Sequence, residues 1–276
     1  MFELFINIIP FILLGIIFKK YDTNKLQFII IKLFFPLHIA GLLVKEGIDN
    51  DLIISALISF FSISIIFILI KFINIFASSE LILILYSLIG NTSFIGIPVA
   101  LALLPSSTIN FTVGFDLGST LFFHMFSQFL INKNFNSLIF NPVTKGIIIV
   151  LLAYLFGLEK IFGDNLLIPA RISICLILIM TGMQLGNNIT NSIYIFSKKD
   201  FFLIIFKLII FPFVIFLICK IMRYNKNETK AMVLQSAMPI SFALLVYKKD
   251  NSPLIFISYI ISLITIPIIA KIMKLL

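Results

Sequence analysis

Charge is scarce in this chain. Asp, Glu, Lys and Arg make up only 12% of 276 residues, too few to cover a water-exposed globular surface. Cysteine occurs twice, at Cys175 and Cys219, each inside an apolar segment. That usage gives no support to a disulfide framework or a zinc site, and both thiols read as packing residues. No Gly-Lys-Ser or Gly-Lys-Thr occurs, so there is no phosphate-binding loop to drive a pump. Neither clustered acids, nor a nucleophile beside a base, nor a ligand set for metal is visible, so the expectation is a non-enzyme without metal or cofactor. A basic start is missing too. Glu3 lies in the first apolar run, and Lys19 and Lys20 follow it, which argues against a cleavable signal peptide and for a retained first helix with its N-terminus outside.

What is abundant is hydrophobicity: 61% of the residues, with a mean hydropathy of +1.16. In lipid no water satisfies backbone polar groups, so apolar runs of roughly 20 residues must be helices. Such runs lie near 2–18, 26–44, 52–76, 81–104, 107–131, 143–158, 165–187, 201–222, 229–247 and 253–274. The expected fold is an all-α integral membrane protein of about ten transmembrane helices. Its organisation reads as a first five-helix set over 1–131, a short connecting loop over 132–142 and a second five-helix set over 143–276. An odd number of helices per half brings the second half in inverted.

The formal charge of +9 comes from Lys residues in short clusters between apolar runs. Anionic lipid and membrane topology explain them, and nucleic acid is not an expected partner. With the N-terminus outside, Lys19, Lys20, Lys25, Lys71, Lys133 and Lys145 face the cytoplasm, as the positive-inside rule requires. In the second half Lys198, Lys199, Lys248 and Lys249 face inward, whereas Lys220, Arg223, Lys226 and Lys230 face outward, against that rule.

Two runs are interrupted. The fourth contains Gly90-Asn91-Thr92-Ser93-Phe94-Ile95-Gly96-Ile97-Pro98, and the ninth contains Gln235-Ser236-Ala237-Met238-Pro239-Ile240-Ser241. Proline removes a backbone donor, glycine costs about 1 kcal/mol against alanine, and the freed groups need partners in a protein cavity. Taken singly, Pro98 and Pro239 read as kinks between packed helices. Taken as a pair at matching positions of two halves, they point to a transporter binding site lined by Asn91, Thr92, Ser93, Gly96, Pro98, Gln235, Ser236, Pro239 and Ser241.

Ionisable residues inside runs are few. Asp116 shares a helical face with Thr120 and Ser127. A carboxylate at a helix centre costs about 2.5 to 3.5 kcal/mol on insertion scales, so Asp116 is either a proton carrier or a residue near the membrane edge that is hydrated or hydrogen-bonded for structural reasons. His124 and His38 are further proton-coupling candidates, with interhelical hydrogen bonding as the alternative. Arg171, Lys32 and Lys207 read as snorkelling cations, and Gln184 as an interhelical hydrogen bonder.

The string Asn91-Thr92-Ser93-Phe94-Ile95-Gly96-Ile97-Pro98 resembles the fourth-helix signature of the auxin efflux carrier family, which includes bacterial permeases for malate-like acids. Gln235-Ser236-Ala237-Met238-Pro239 resembles that family's second crossover, Asn141-Pro142 the start of its second half, and Ile266-Pro267 its last helix. The resemblance implies two inverted five-helix repeats with crossed, broken fourth and ninth helices. It also implies elevator-like alternating access and contact of Asn91 with substrate. The expected function is secondary transport of a small organic anion, a carboxylate or auxin-like acid, across a bacterial inner membrane. Protons or sodium are the candidate coupling ions, membrane lipid is the surroundings, and a homodimer is compatible with the resemblance. The chain departs from the family after Pro239, where only Ser241 is polar among the next five residues. A sensor that binds the acid without moving it has the same signature.

Overall fold

The computed structural model describes residues 2–21, 23–73, 81–127, 142–158, 197–241, 244 and 252–275, with isolated positions between 165 and 187. The described backbone is helical and holds no strand. In chain order the helices are α1 (Phe2–Ile17), α2 (Thr23–Ile29), α3 (Phe35–Glu46), α4 (Asn50–Ile73), α5 (Leu81–Leu88), α6 (Ile97–Leu103), α7 (Ile109–Leu121), α8 (Pro142–Leu155), α9 (Lys198–Ile205), α10 (Phe211–Ile221), α11 (Lys226–Ser236) and α12 (Ser252–Leu275). Among the described residues three stretches are long and apolar enough to cross a membrane: Asn50–Phe72, Lys198–Ile221 and Pro253–Met273. The chain is an all-α integral membrane protein.

α4 shows how lipid inverts the soluble pattern. Ser55, Ser59 and Ser62 are buried along one face, whereas Leu57, Phe61, Ile65 and Ile68 are exposed on the other. Small polar residues let helices approach closely where apolar burial gives no net gain over lipid. Ser55 Oγ donates back to Asp51 O (2.8 Å) and Leu52 O (3.0 Å), so its hydroxyl needs no water.

Three helices pass through a wide, π-type turn just before a proline. The turns are Ile30–Phe34 before Pro36, Thr92–Gly96 before Pro98 and Phe206–Ile210 before Pro212. A proline ring clashes with the carbonyl four residues back and brings no N–H to it. One wide turn relieves the clash without ending the helix.

The described residues form two compact units that interleave in sequence. One takes Asn50–Ser119 and Ile193–Leu276, the other Phe2–Asp49 and Thr120–Ser192. In the second unit α8 packs on α3 through Gly146, where an added Cβ would lie 2.8 Å from the Pro36 carbonyl. In the first, α7 lies against α4 through Gly114 and Gly118, whose missing side chains leave space for the Leu52 and Ala56 carbonyls. Gly114 and Gly118 are a small-xxx-small pair, and Asp116 sits between them in sequence.

Candidate functional site

Both interrupted runs belong to the first unit, and their breaks pair. α5 ends at Leu88 and α11 at Ser236. Beyond these ends Gly90 and Ile240 form an isolated antiparallel bridge. Asn91 N donates to Pro239 O (2.7 Å) and Ser241 N donates to Ile89 O (3.0 Å). Each break thus satisfies backbone groups that the other has freed, which is what non-helical backbone within an apolar protein requires. The sequence dictates where this happens. Pro239 drives Met238 out of the helical region, and Gly90 leaves space that a Cβ would take from Lys207 Nζ at 3.0 Å and Met238 O at 3.1 Å.

α12 braces the crossing from one side. Ser258 Oγ accepts from Ile240 N (3.2 Å) and donates to Ile255 O (2.6 Å). From the next residue of α12, Tyr259 Oη accepts a hydrogen bond from Asn91 Nδ2. α7 braces the residues that follow the first break. Thr92 Oγ1 donates to Asp116 Oδ1, and Ser93 Oγ lies 2.7 Å from each carboxylate oxygen. The Asp116 side chain is buried, and its carboxyl is tied to the first two residues after the crossing.

Gln235 is the exceptional member of the cluster. It is fully buried at 0% exposure, yet neither Oε1 nor Nε2 has a hydrogen-bond partner among the described residues. Its amide lies against Gly96, where any added Cβ would fall on it. A buried polar group left without partners costs about 1–3 kcal/mol, and a primary amide offers two donors and two acceptor lone pairs. Beside it Ser236 turns its hydroxyl to Val233 O (2.7 Å), while its carbonyl accepts from Lys207 Nζ (2.7 Å).

The structure therefore gathers Asn91, Thr92, Ser93, Gly96, Gln235, Ser236, Pro239 and Ser241 around one crossing, with half-buried Pro98 just beyond the wide turn. Asp116 joins them. His38 and His124 belong to the other unit. Both are buried, and His124 meets Phe123 edge-on with ring centroids 4.7 Å apart. Arg171 and Gln184 lie outside the described residues. Lys32 is exposed, as a snorkelling cation should be, but Lys207 is not: at 0% exposure it cannot reach a headgroup. The carbonyl of Ser236 and the face of Phe211, 4.6 Å from Nζ to ring centroid, hold it inside instead. Among the described residues the acids and histidines form no metal-binding group.

Lys207, Ser258 and Tyr259 are contacts of the crossing that residue patterns did not reveal. A lysine in an apolar run has snorkelling as its default, and a serine followed by tyrosine in a last span carries no positional signal.

Residues 125–270, more than half of the chain, match the family described as membrane transport protein. The match takes in the second break, Lys207, Ser258 and Tyr259, and leaves the first break outside it. No individual curated protein matches the chain.

Proposed function

Since the chain belongs to the membrane transport protein family, that of the auxin efflux carriers, we propose that it is a secondary carrier of a small organic anion, a carboxylate or auxin-like acid, which binds at the crossing of the two broken helices. The observation that carries this reading is Gln235. A fully buried amide without partners among the described residues, set beside the paired breaks, is satisfied when a ligand with oxygen acceptors and an exchangeable hydrogen-bonding group occupies the crossing. The helical stretch that starts at Thr92 presents its positive end there, which favours a carboxylate.

In this mechanism Asn91, already oriented by Tyr259, and Gln235 contact the acid, with Thr92, Ser93 and Ser241 at the rim. The division into two compact units supports an elevator-type cycle in which the unit carrying the crossing moves as one body. The ten-helix count, the inverted repeats over 1–131 and 143–276, the inner-membrane location and the outside N-terminus belong to the same proposal. Asp116 is the proposed proton carrier. Its carboxyl holds Thr92 and Ser93, so adding a proton removes acceptor capacity where the loaded segment begins.

The test is flux of labelled mono- and dicarboxylates in reconstituted vesicles, comparing the natural chain with Asn91→Ala and Gln235→Leu. Selective flux of one class of acid that falls at least tenfold in both variants supports the reading. An acid that binds the solubilised protein through Asn91 but is never moved identifies a sensor and overturns it.

A further inference from the structure

The ammonium of Lys207 lies at the middle of the span Lys198–Ile221, fully buried, and among the described residues no carboxylate pairs with it. A buried cation demands compensation, and three features supply it. Nζ donates to Ser236 O at 2.7 Å, and that carbonyl belongs to the last residue of α11, where helix carbonyls have no intrahelical partner and the macrodipole is negative. The Phe211 ring offers its face at 4.6 Å, a cation–π contact. Gly90 clears the path, since a Cβ there would stand 3.0 Å from Nζ. An end-of-helix carbonyl, an aromatic face and open backbone are what an alkali cation would use at a broken helix. Here a tethered ammonium uses them.

We infer that Lys207 is the built-in cation of the crossing, occupying the carbonyl end of α11 in place of an exchangeable monovalent ion, so that the carrier works without sodium. The inference rests on the transport reading for its flux consequences, but not for its structural ones. Because the ammonium travels with Ser236 and Gly90 in one unit, the negative end of α11 stays neutralised throughout a cycle. Bound substrate then meets a site whose charge does not depend on the salt outside.

Two measurements test it on the purified full chain, thermal melting in detergent and acid flux in vesicles, each in sodium, potassium, methylammonium or choline chloride at equal ionic strength. The natural chain should melt and transport alike in all four. Lys207→Ala should lose at least tenfold of its flux in choline, melt several degrees lower, and recover both in sodium or methylammonium; Lys207→Met, which fills the space, should not recover. Sodium dependence in the natural chain overturns the inference. So does a Lys207→Ala protein that is unaffected in choline, and so does one that stays inactive or unfolded whichever cation is supplied. If the natural chain moves no acid, the transport reading fails, and cation-dependent melting of Lys207→Ala still decides the fate of the tethered cation.

Discussion

Gly96 and Gln235 share a space that holds either a methyl group or the amide tip, not both. An added Cβ at Gly96 would lie within contact distance of Gln235 and 3.0 Å from Met238 Cγ. Gly96→Ala is therefore expected to destabilise by about 1–3 kcal/mol, the usual cost of overpacking, and to reduce acid flux more than it lowers the melting temperature; equal flux per folded protein would remove Gln235 from the binding site. Asp116→Asn keeps the shape of the carboxyl and deletes its titration. Accumulation driven by a pH gradient should vanish while acid–acid exchange persists, and unchanged pH dependence would sink the proton role. Asn91, Thr92, Ser93 and Gln235 were legible because polar side chains in an apolar run need a reason. Lys207 was not, because the alternative to snorkelling appears only once Ser236, Phe211 and Gly90 are known to surround it.

At the level of elements, the helix that carries the second break is fixed at its start by side chains. Asn225 and Glu228 form a reciprocal cap on α11, with Asn225 Oδ1 accepting from the Asn227 and Glu228 amides at 3.0 Å and Glu228 Oε2 accepting from Asn225 N at 2.9 Å. α11 has 11 residues and terminates at the crossing, so fraying at its start is felt at its end. Asn225→Ala should cost about 1 kcal/mol, seen as a lower melting temperature with unaltered choice among acids. A changed choice would mean that the cap shapes the site itself. The glycine and proline strings predicted breaks where α5 and α11 stop. What hydropathy does not encode is the wide turn: Phe122–Ser127 abandons the 3.6-residue period on which Ser127 shares a face with Asp116, and Phe206–Ile210 sets the direction of Lys207. The second of these turns depends on the clash of Pro212 with a specific carbonyl, not on the average character of the segment, and no proline follows the first before Pro142.

For the molecule as a whole, sequence order and contact order divide the chain differently. Apolar runs counted along the chain give two halves, whereas contacts join Asn50–Ser119 to Ile193–Leu276. Spans of similar apolarity carry no label saying which will touch, so this partnership was beyond a one-dimensional reading, although the paired breaks hinted at it. If the first unit moves as one body, a cross-link inside it should be harmless. Ser55 Oγ lies 3.5 Å from Asn110 O, and oxidising the pair Ser55→Cys with Asn110→Cys in a chain carrying Cys175→Ala and Cys219→Ala should leave flux within about twofold of the reduced sample. Abolished flux would mean that α4 and α7 must slide on each other. The crossing also sets a schedule for biosynthesis. Tyr259 lies 168 residues after Asn91, and at about 5–20 residues per second the ribosome needs roughly ten to thirty seconds to deliver it. For most of that interval the first break waits in the bilayer without Pro239 or Ser241, and for all of it without Tyr259, so the nascent chain depends on the insertion machinery to shelter an unfinished helix until its partner arrives.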